Sequence, residues 1–304
     1  METTHLPARS TAGSGGLLAA LRRHPLIGYF VLAYVVTWLL WLPGVLLGLP
    51  QSLPAKFAYL PGGAIGITGV AFLMTYVTEG RAGVRRLAAR YAQWRVGWLW
   101  YAFALIGVPF IIEGWTLLLL GNRAALQAFS PAFLLQYPGL YAILFIFGPF
   151  WEEAGWRGFA LPRLQARYGP LMGTFILGLL WGMWHLPLHI EAFRQDFGGA
   201  LLSFGLAFGL ATMGYTVIQT WLSNATRGSL LLLMLAHGSI NASVNFFSNL
   251  MEQGRLPESF AHYWFLGPII GPVVFALGLV VLTRGRLGYR AVNGRTAPGA
   301  VIEI

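Results

Sequence analysis

The chain has 304 residues, of which 57% are hydrophobic and only 10% are charged, whereas a typical soluble domain carries about 25% charged residues. So few charges cannot cover the surface of a soluble globule, and the composition therefore predicts an all-α membrane protein. The chain has no cysteine, which excludes a disulfide framework, a thiolate metal site and a cysteine nucleophile. The net charge of +10 does not indicate a nucleic-acid partner, because the basic residues are scattered in short loops between apolar runs.

Eight stretches of the chain are long and apolar enough to cross a bilayer, which takes about 20 residues as a helix. They lie at residues 26–49, 57–78, 98–120, 134–158, 170–190, 200–222, 229–248 and 264–282. The sequence thus predicts a polytopic bundle of about eight transmembrane helices over 26–283. An N-terminal tail over 1–25 and a C-terminal tail over 284–304 are expected to flank it.

The basic residues are distributed unequally between alternate loops of this bundle. Of the 20 lysines and arginines, 15 fall on one side, 4 on the other and one, Arg157, within a span. Because positive loops face the cytoplasm, we expect both termini to be cytoplasmic and the protein to reside in the plasma membrane. The loop at 81–95, which holds five arginines, is expected to contact anionic lipid headgroups.

A few polar side chains lie inside the predicted spans, where an ionisable group costs at least ~2.5–3.5 kcal/mol and usually has a function. They are Glu113, Glu152, Glu153, Arg157, His185, His189, His237, Asn241 and Asn245. Most belong to three stretches of sequence, WEEAGWRG at 151–158, WGMWHLPLH at 181–189 and HGSINASVN at 237–245. This clustering predicts one polar cavity within the membrane, lined by three helices.

The first stretch separates two neighbouring carboxylates into different roles. Glu152 and Glu153 project about 100° apart around a helix, so they cannot both point at the same atom. Glu153 and Arg157 stand at i, i+4 in the favourable order, which predicts an intrahelical ion pair. Glu152 then points elsewhere and is the candidate general base.

The other two stretches place histidines where they can assist that base. His185 follows Trp181 by four residues, so the two rings are expected to lie along one face of a helix. His237 and Asn241 share a helix face and can direct N–H donors toward one oxyanion. A base, a water-holding histidine and two donors form the outline needed for attack of water on an amide carbonyl.

At these residues the sequence resembles the CPBP family, which includes type II CAAX prenyl endopeptidases and bacteriocin-processing membrane proteases. The family motifs EExxxR, FxxxH and HxxxN correspond here to residues 152–157, 181–185 and 237–241. The resemblance covers about 134–250, the predicted protease core. The second motif departs from the family pattern, since Trp181 replaces phenylalanine. We expect this change to alter the shape of the pocket more than the chemistry.

The resemblance implies an eight-helix intramembrane endopeptidase whose cavity opens toward the cytoplasm. It implies that Glu152 and His185 activate water. It further implies that His237 and Asn241 stabilise the oxyanion. The supporting motif residues would be Glu153, Arg157 and Trp181.

The need for a metal ion is left open by the resemblance, because the family is described both as metalloproteases and as metal-independent glutamate-type proteases. If zinc is bound, its ligands would be Glu152, His185 and His237, with an open fourth position. However, no HExxH motif is present. The sequence also reveals no second-shell carboxylate for either histidine, so metal-independent activation of water is favoured.

The leading function is an intramembrane endopeptidase that cleaves a peptide bond near the cytoplasmic membrane face. Its substrate would be a prenylated CAAX tail or another membrane-associated peptide or protein. The 19 arginines against one lysine are typical of a GC-rich bacterium, where CAAX proteins are uncommon, so secreted peptides and membrane-anchored regulators are favoured over a CAAX tail. The runner-up is a non-catalytic membrane protein of the bacteriocin-immunity or scaffold type. A transporter is a third candidate, against which the lack of a visible internal repeat counts.

Two expectations about packing follow. Glu152, His185, His237 and Asn241 should converge around one water-sized site. In the predicted spans His185 lies nearer the outer face than Glu152 or His237, so convergence requires other span boundaries or a bent or displaced helix, and Gly148-Pro149 is a natural break. Close helix packing is expected at the GxxxG spacings, which occur at 44/48, 62/66, 178/182, 205/209 and 267/271.

Overall fold

The computed structural model describes residues 14–48, 53–114, 129–257 and 266–290. These residues form helices and turns, and no strand occurs among them, which confirms the all-α prediction. Helix α1, Ser14–Arg23, occupies most of the described part of the predicted N-terminal tail. Residues 1–13 and 291–304 of the two predicted tails lie outside the described residues.

The predicted spans each coincide with an apolar helix or with a bent pair of helices. In chain order these helices are α2 (Pro25–Leu46), α3 (Phe57–Ala92), α4 (Trp98–Gly114), α5 (Pro131–Tyr168), α6 (Pro170–Trp184), α7 (Leu186–Gln195), α8 (Phe197–Ala225), α9 (Leu230–Glu252) and α10 (Gly267–Leu282). Within the described ranges five of them are long and apolar enough to cross a membrane, and α6 with α7 forms a sixth candidate, bent by 45°. Helices α4 and α10 are shorter, and the third predicted span runs beyond α4 into 115–120, outside the described residues.

Two of the long helices are interrupted by glycine. In α3, Gly80 has φ +64°, which glycine adopts without a steric penalty, so the helix changes direction there. In α5, the segment Tyr137–Phe147 ends at Gly148 and a new helical segment begins at Pro149, which confirms the expected break. The residues that follow, Ala154–Ala160, form a π-helical segment, a feature often found at functional sites.

Small residues bring some of the helices into close contact. A Cβ atom added to Gly66 would overlap Thr37 of α2, and one added to Gly182 would overlap a backbone carbonyl of α8. These glycines therefore confirm the packing predicted from their GxxxG spacing. The prediction is wrong for Gly205 and Gly209, since no other helix among the described residues comes within 4 Å of the added Cβ at either position.

The polar ends of several helices are tied together on one face of the bundle. The Arg90 guanidinium donates to the backbone carbonyls of Gly158 (2.9 Å) and Gly228 (2.7 Å), and Arg163 forms an ion pair with Glu79. The C-terminal parts of α3 and α5 and the loop that follows α8 therefore lie side by side, as alternating spans require. Assignment of this face to the cytoplasm stays a prediction.

The hydrophobic core lies where α2, α3, α5, α6 and α9 meet. Each of these helices contributes at least one fully buried apolar side chain, namely Tyr29, Met74, Trp156, Leu177 and Leu233. The three motif stretches belong to α5, to α6 with α7, and to α9, so the core packing sets their relative positions.

Candidate active site

Glu153 is the centre of a buried polar cluster. Its Oε1 accepts hydrogen bonds from Arg157 Nη1 at 2.9 Å and from His237 Nδ1 at 2.8 Å. In the orientation that satisfies its neighbours, the Gln219 amide nitrogen lies 3.2 Å from each Glu153 oxygen. The Glu153 and Arg157 side chains are both fully buried. The predicted ion pair is thus confirmed, and it also orients a histidine on another helix.

The bond from His237 to Glu153 corrects one expectation from the sequence. No second-shell carboxylate was expected for either histidine, yet Glu153 holds this position for His237. The two residues are 84 positions apart in the chain, so their spacing gave no signal. Histidines that bind a metal also often donate their other ring N–H to a carboxylate. The lack of such a carboxylate in the sequence is therefore no longer an argument against a metal site.

Glu152 lies on a different side of α5 and is held by tryptophans. Its Oε2 accepts from Trp181 Nε1 at 3.1 Å and from Trp156 Nε1 at 3.4 Å. The residue is 7% exposed. The two neighbouring carboxylates therefore have separate partners, as their angular separation on the helix predicts.

The other oxygen of Glu152 faces α9. The position that a Cβ atom on Gly148 would occupy lies 3.3 Å from Glu152 Oε1 and 3.2 Å from Asn241 Nδ2. The carboxylate oxygen and the amide donor therefore approach the same side of the Gly148 backbone. The helix break at Gly148, which carries no side chain, leaves this approach open.

Trp181 connects the remaining candidate residues. The Arg157 guanidinium lies over its ring at 4.3 Å, and the His237 ring meets it edge to face at 5.0 Å between centroids. The His185 ring lies 6.2 Å from it. Trp181 thus contacts residues of all three motifs, and its role goes beyond the pocket shape that the sequence suggested.

His185 is half-buried at the end of α6, where the bend between α6 and α7 begins. Its Nδ1–H donates to the Trp181 carbonyl oxygen at 3.0 Å, because a carbonyl can only accept. The Nε2 atom therefore carries the lone pair of the neutral ring. Aromatic contacts with Trp184 and Phe208 orient the ring.

The polar residues left outside the candidate site have other contacts. Asn245 donates from Nδ2 to the Asn241 backbone carbonyl at 2.8 Å. The His189 ring packs against Phe204 and Phe208. Glu113 is buried in α4, away from the three motif stretches along the chain.

The arrangement of these side chains also bears on the zinc ligands considered above. Throughout the described ranges, no three His, Asp or Glu side chains lie close enough together to hold one metal ion. Glu152, His185 and His237 therefore do not fit a three-ligand site in this arrangement.

Two contributors were missed in the sequence. Gln219, fully buried in α8, is a polar amide within an apolar span, and that feature could have identified it. Trp156 lies inside the EExxxR motif, but its indole N–H cannot be assigned to Glu152 without knowing the side-chain direction.

The fold is a bundle of apolar helices, and comparison with known proteins supports the class of intramembrane endopeptidases for it. A family model described as type II CAAX prenyl endopeptidase Rce1-like matches residues 134–243. The curated CAAX prenyl protease 2 of Methanococcus maripaludis is 25% identical over 227 residues, which cover 70% of this chain and 81% of that protein. Both findings support the family indicated by the three motifs, the CPBP family of membrane proteases.

Proposed function

We propose that this chain hydrolyses a peptide bond near the cytoplasmic membrane face, using water activated by Glu152 and His185. The proposal depends chiefly on the asymmetry of the Glu152 carboxylate. Its Oε2 accepts hydrogen bonds from two indole N–H groups, while Oε1 lies beside Gly148 on the same side as the Asn241 amide. A carboxylate held through one oxygen can present the other to a water molecule, as a general base requires.

In the proposed reaction Glu152 takes a proton from water as the water oxygen bonds to the carbonyl carbon of the peptide. His185 accepts a hydrogen bond from this water at Nε2. The carbonyl oxygen becomes negatively charged, and the donors of His237 and Asn241 stabilise it. The carbon–nitrogen bond then breaks, and the leaving amine takes the proton from Glu152.

The contact with Glu153 defines the protonation state in which His237 can serve as a donor. Because Nδ1–H donates to Glu153 Oε1, a neutral His237 ring has only a lone pair at Nε2. Donation to an oxyanion therefore requires the imidazolium form, in which Nε2 also carries a proton. Asn241 donates through its amide in either case.

The substrate that we favour is a membrane-associated peptide or protein, with a prenylated CAAX tail as the leading case. The similarity to the CAAX prenyl protease 2 of Methanococcus maripaludis supports this class. Cleavage of such a tail would release its three terminal residues while the lipid lies between helices. Membrane-anchored regulators and secreted peptides are the alternatives.

The placement in the plasma membrane with both termini cytoplasmic is part of the proposal, and the arginine-rich face supports it. A cavity of about 400 Å³ on this face is lined in part by Arg22 and Arg81. Two guanidinium groups beside the membrane surface favour contact with anionic lipid headgroups.

The test is a peptidase assay with the purified protein in liposomes, using prenylated and unprenylated peptide libraries read by mass spectrometry. We expect cleavage at a defined peptide bond, lost in Glu152→Ala and unchanged by a chelator. Equal cleavage by the variant would identify a contaminant or refute the assigned base. No cleavage by the wild-type protein would favour the non-catalytic scaffold or immunity role, and loss on chelation would favour a metal-dependent reaction.

A further inference from the structure

The two tryptophans that hold Glu152 differ from two tryptophans close to them, Trp151 in the chain and Trp184 in space. Trp156 and Trp181 both direct their indole N–H groups at the same oxygen, Oε2. By contrast, the indole N–H groups of Trp151 and Trp184 are buried without a hydrogen-bond partner among the described residues. A buried indole N–H in this region does not always have a partner, so the two bonds to one oxygen of Glu152 do not follow from burial alone.

The position of Trp181 is itself fixed on several sides. The Arg157 guanidinium covers its ring face, and the His237 ring contacts it edge to face. The indole N–H consequently has little freedom to turn away from Glu152. A bond to a charged acceptor is about twice as strong as a neutral one, which further restricts the carboxylate.

From these contacts we infer that Trp181 is a positioning residue, whose indole N–H fixes Glu152 Oε2 so that Oε1 alone takes the proton from water. The inference rests on the proposed function and assigns the reacting oxygen within it. Oε1 is the oxygen that faces Asn241 beside Gly148, which places the proton transfer next to the amide donor. Phenylalanine, the residue of the family pattern, would retain an aromatic ring but remove the N–H group.

The test compares Trp181→Phe with the matched control Trp151→Phe. Both side chains have a buried indole N–H group, but that of Trp151 has no hydrogen-bond partner among the described residues, so phenylalanine removes no bond there. The substrate is the peptide that the library assay described above identifies, and kcat and KM are measured separately in liposomes. We expect Trp181→Phe to lower kcat about 10–100-fold, since a hydrogen bond to a charged group contributes about 1.5–3 kcal/mol and each 1.36 kcal/mol is tenfold in rate. Its KM should stay within about twofold of the wild-type value, and the control should change neither constant by more than this.

A second replacement guards against loss of folding in Trp181→Phe. Benzothienylalanine at position 181 keeps the shape of the indole and replaces only its N–H with sulfur, so it should reproduce the fall in kcat. Glu152→Gln is measured in the same assay. If Glu152→Gln is inactive while Trp181→Phe or the benzothienylalanine variant keeps the wild-type kcat, the inference is overturned and the proposed function stays intact. An inactive wild-type protein would instead overturn both.

Discussion

The buried ion pair of the first motif offers a stability test that does not depend on the substrate. Replacing Glu153 with leucine removes the 2.9 Å ion pair between Glu153 Oε1 and Arg157 Nη1. The fully buried Arg157 guanidinium then has lost this counter-charge. Such a loss costs about 3–5 kcal/mol. The same substitution removes the acceptor of His237 Nδ1, and an unsatisfied buried donor costs about 1–3 kcal/mol. The expected destabilisation is therefore at least about 3 kcal/mol.

The double variant Glu153→Leu/Arg157→Met separates charge from packing. Removing both charges costs less than stranding one of them, so the double variant should be more stable than Glu153→Leu alone. The free energy of unfolding is measured by denaturant titration in mixed micelles. The matched control is Glu191→Leu, because Glu191 pairs with Arg194 at 3.8 Å in an exposed i, i+3 pair that should contribute less than about 1 kcal/mol. Equal losses in Glu153→Leu and the control, or a still less stable double variant, would refute this reasoning.

Two further substitutions test the geometry around the site. Gly148→Ala should lower kcat about 10–100-fold by crowding the Glu152 carboxylate, whereas Gly139→Ala, with open space at its Cβ position, should be neutral; equal kcat values for both would contradict the assigned geometry. Arg90 donates to three backbone carbonyls, and one hydrogen bond from a charged group contributes about 1.5–3 kcal/mol. Arg90→Met should therefore lower the free energy of unfolding by at least this amount. The exposed Arg85→Met variant is its control in the same unfolding titration, and an equally small change in both would refute the role of Arg90 in joining the helix ends.

Much of the fold could be predicted from the sequence because apolar length decides membrane insertion. All eight predicted spans have helical counterparts, and the break at Gly148 was visible because Pro149 lacks a helical hydrogen-bond donor. Helix packing was harder to predict. Gly205 and Gly209 have the same spacing as Gly178 and Gly182, yet only the latter pair adjoins other residues closely at both Cβ positions. Spacing alone does not reveal which side of a helix has a neighbour.

Within the site, contacts inside one helix turn were predictable and contacts between helices were not. The pairing of Glu153 with Arg157 follows from i, i+4 spacing. The bonds from His237 to Glu153 and from Trp181 to Glu152 join residues 84 and 29 positions apart. Such contacts depend on the rotation of each helix about its axis, which apolar length does not determine.

The most direct test of the central claim is the single-turnover rate of peptide cleavage by Glu152→Gln, compared with the wild-type protein and the exposed control Glu191→Gln in the same liposomes. Glutamine keeps the size of the side chain but cannot take a proton from water. The account predicts a rate lower by about 10²–10⁴-fold, the contribution of a general base, and no change in the control. A Glu152→Gln rate within about threefold of wild type would contradict the assignment of Glu152 as the base.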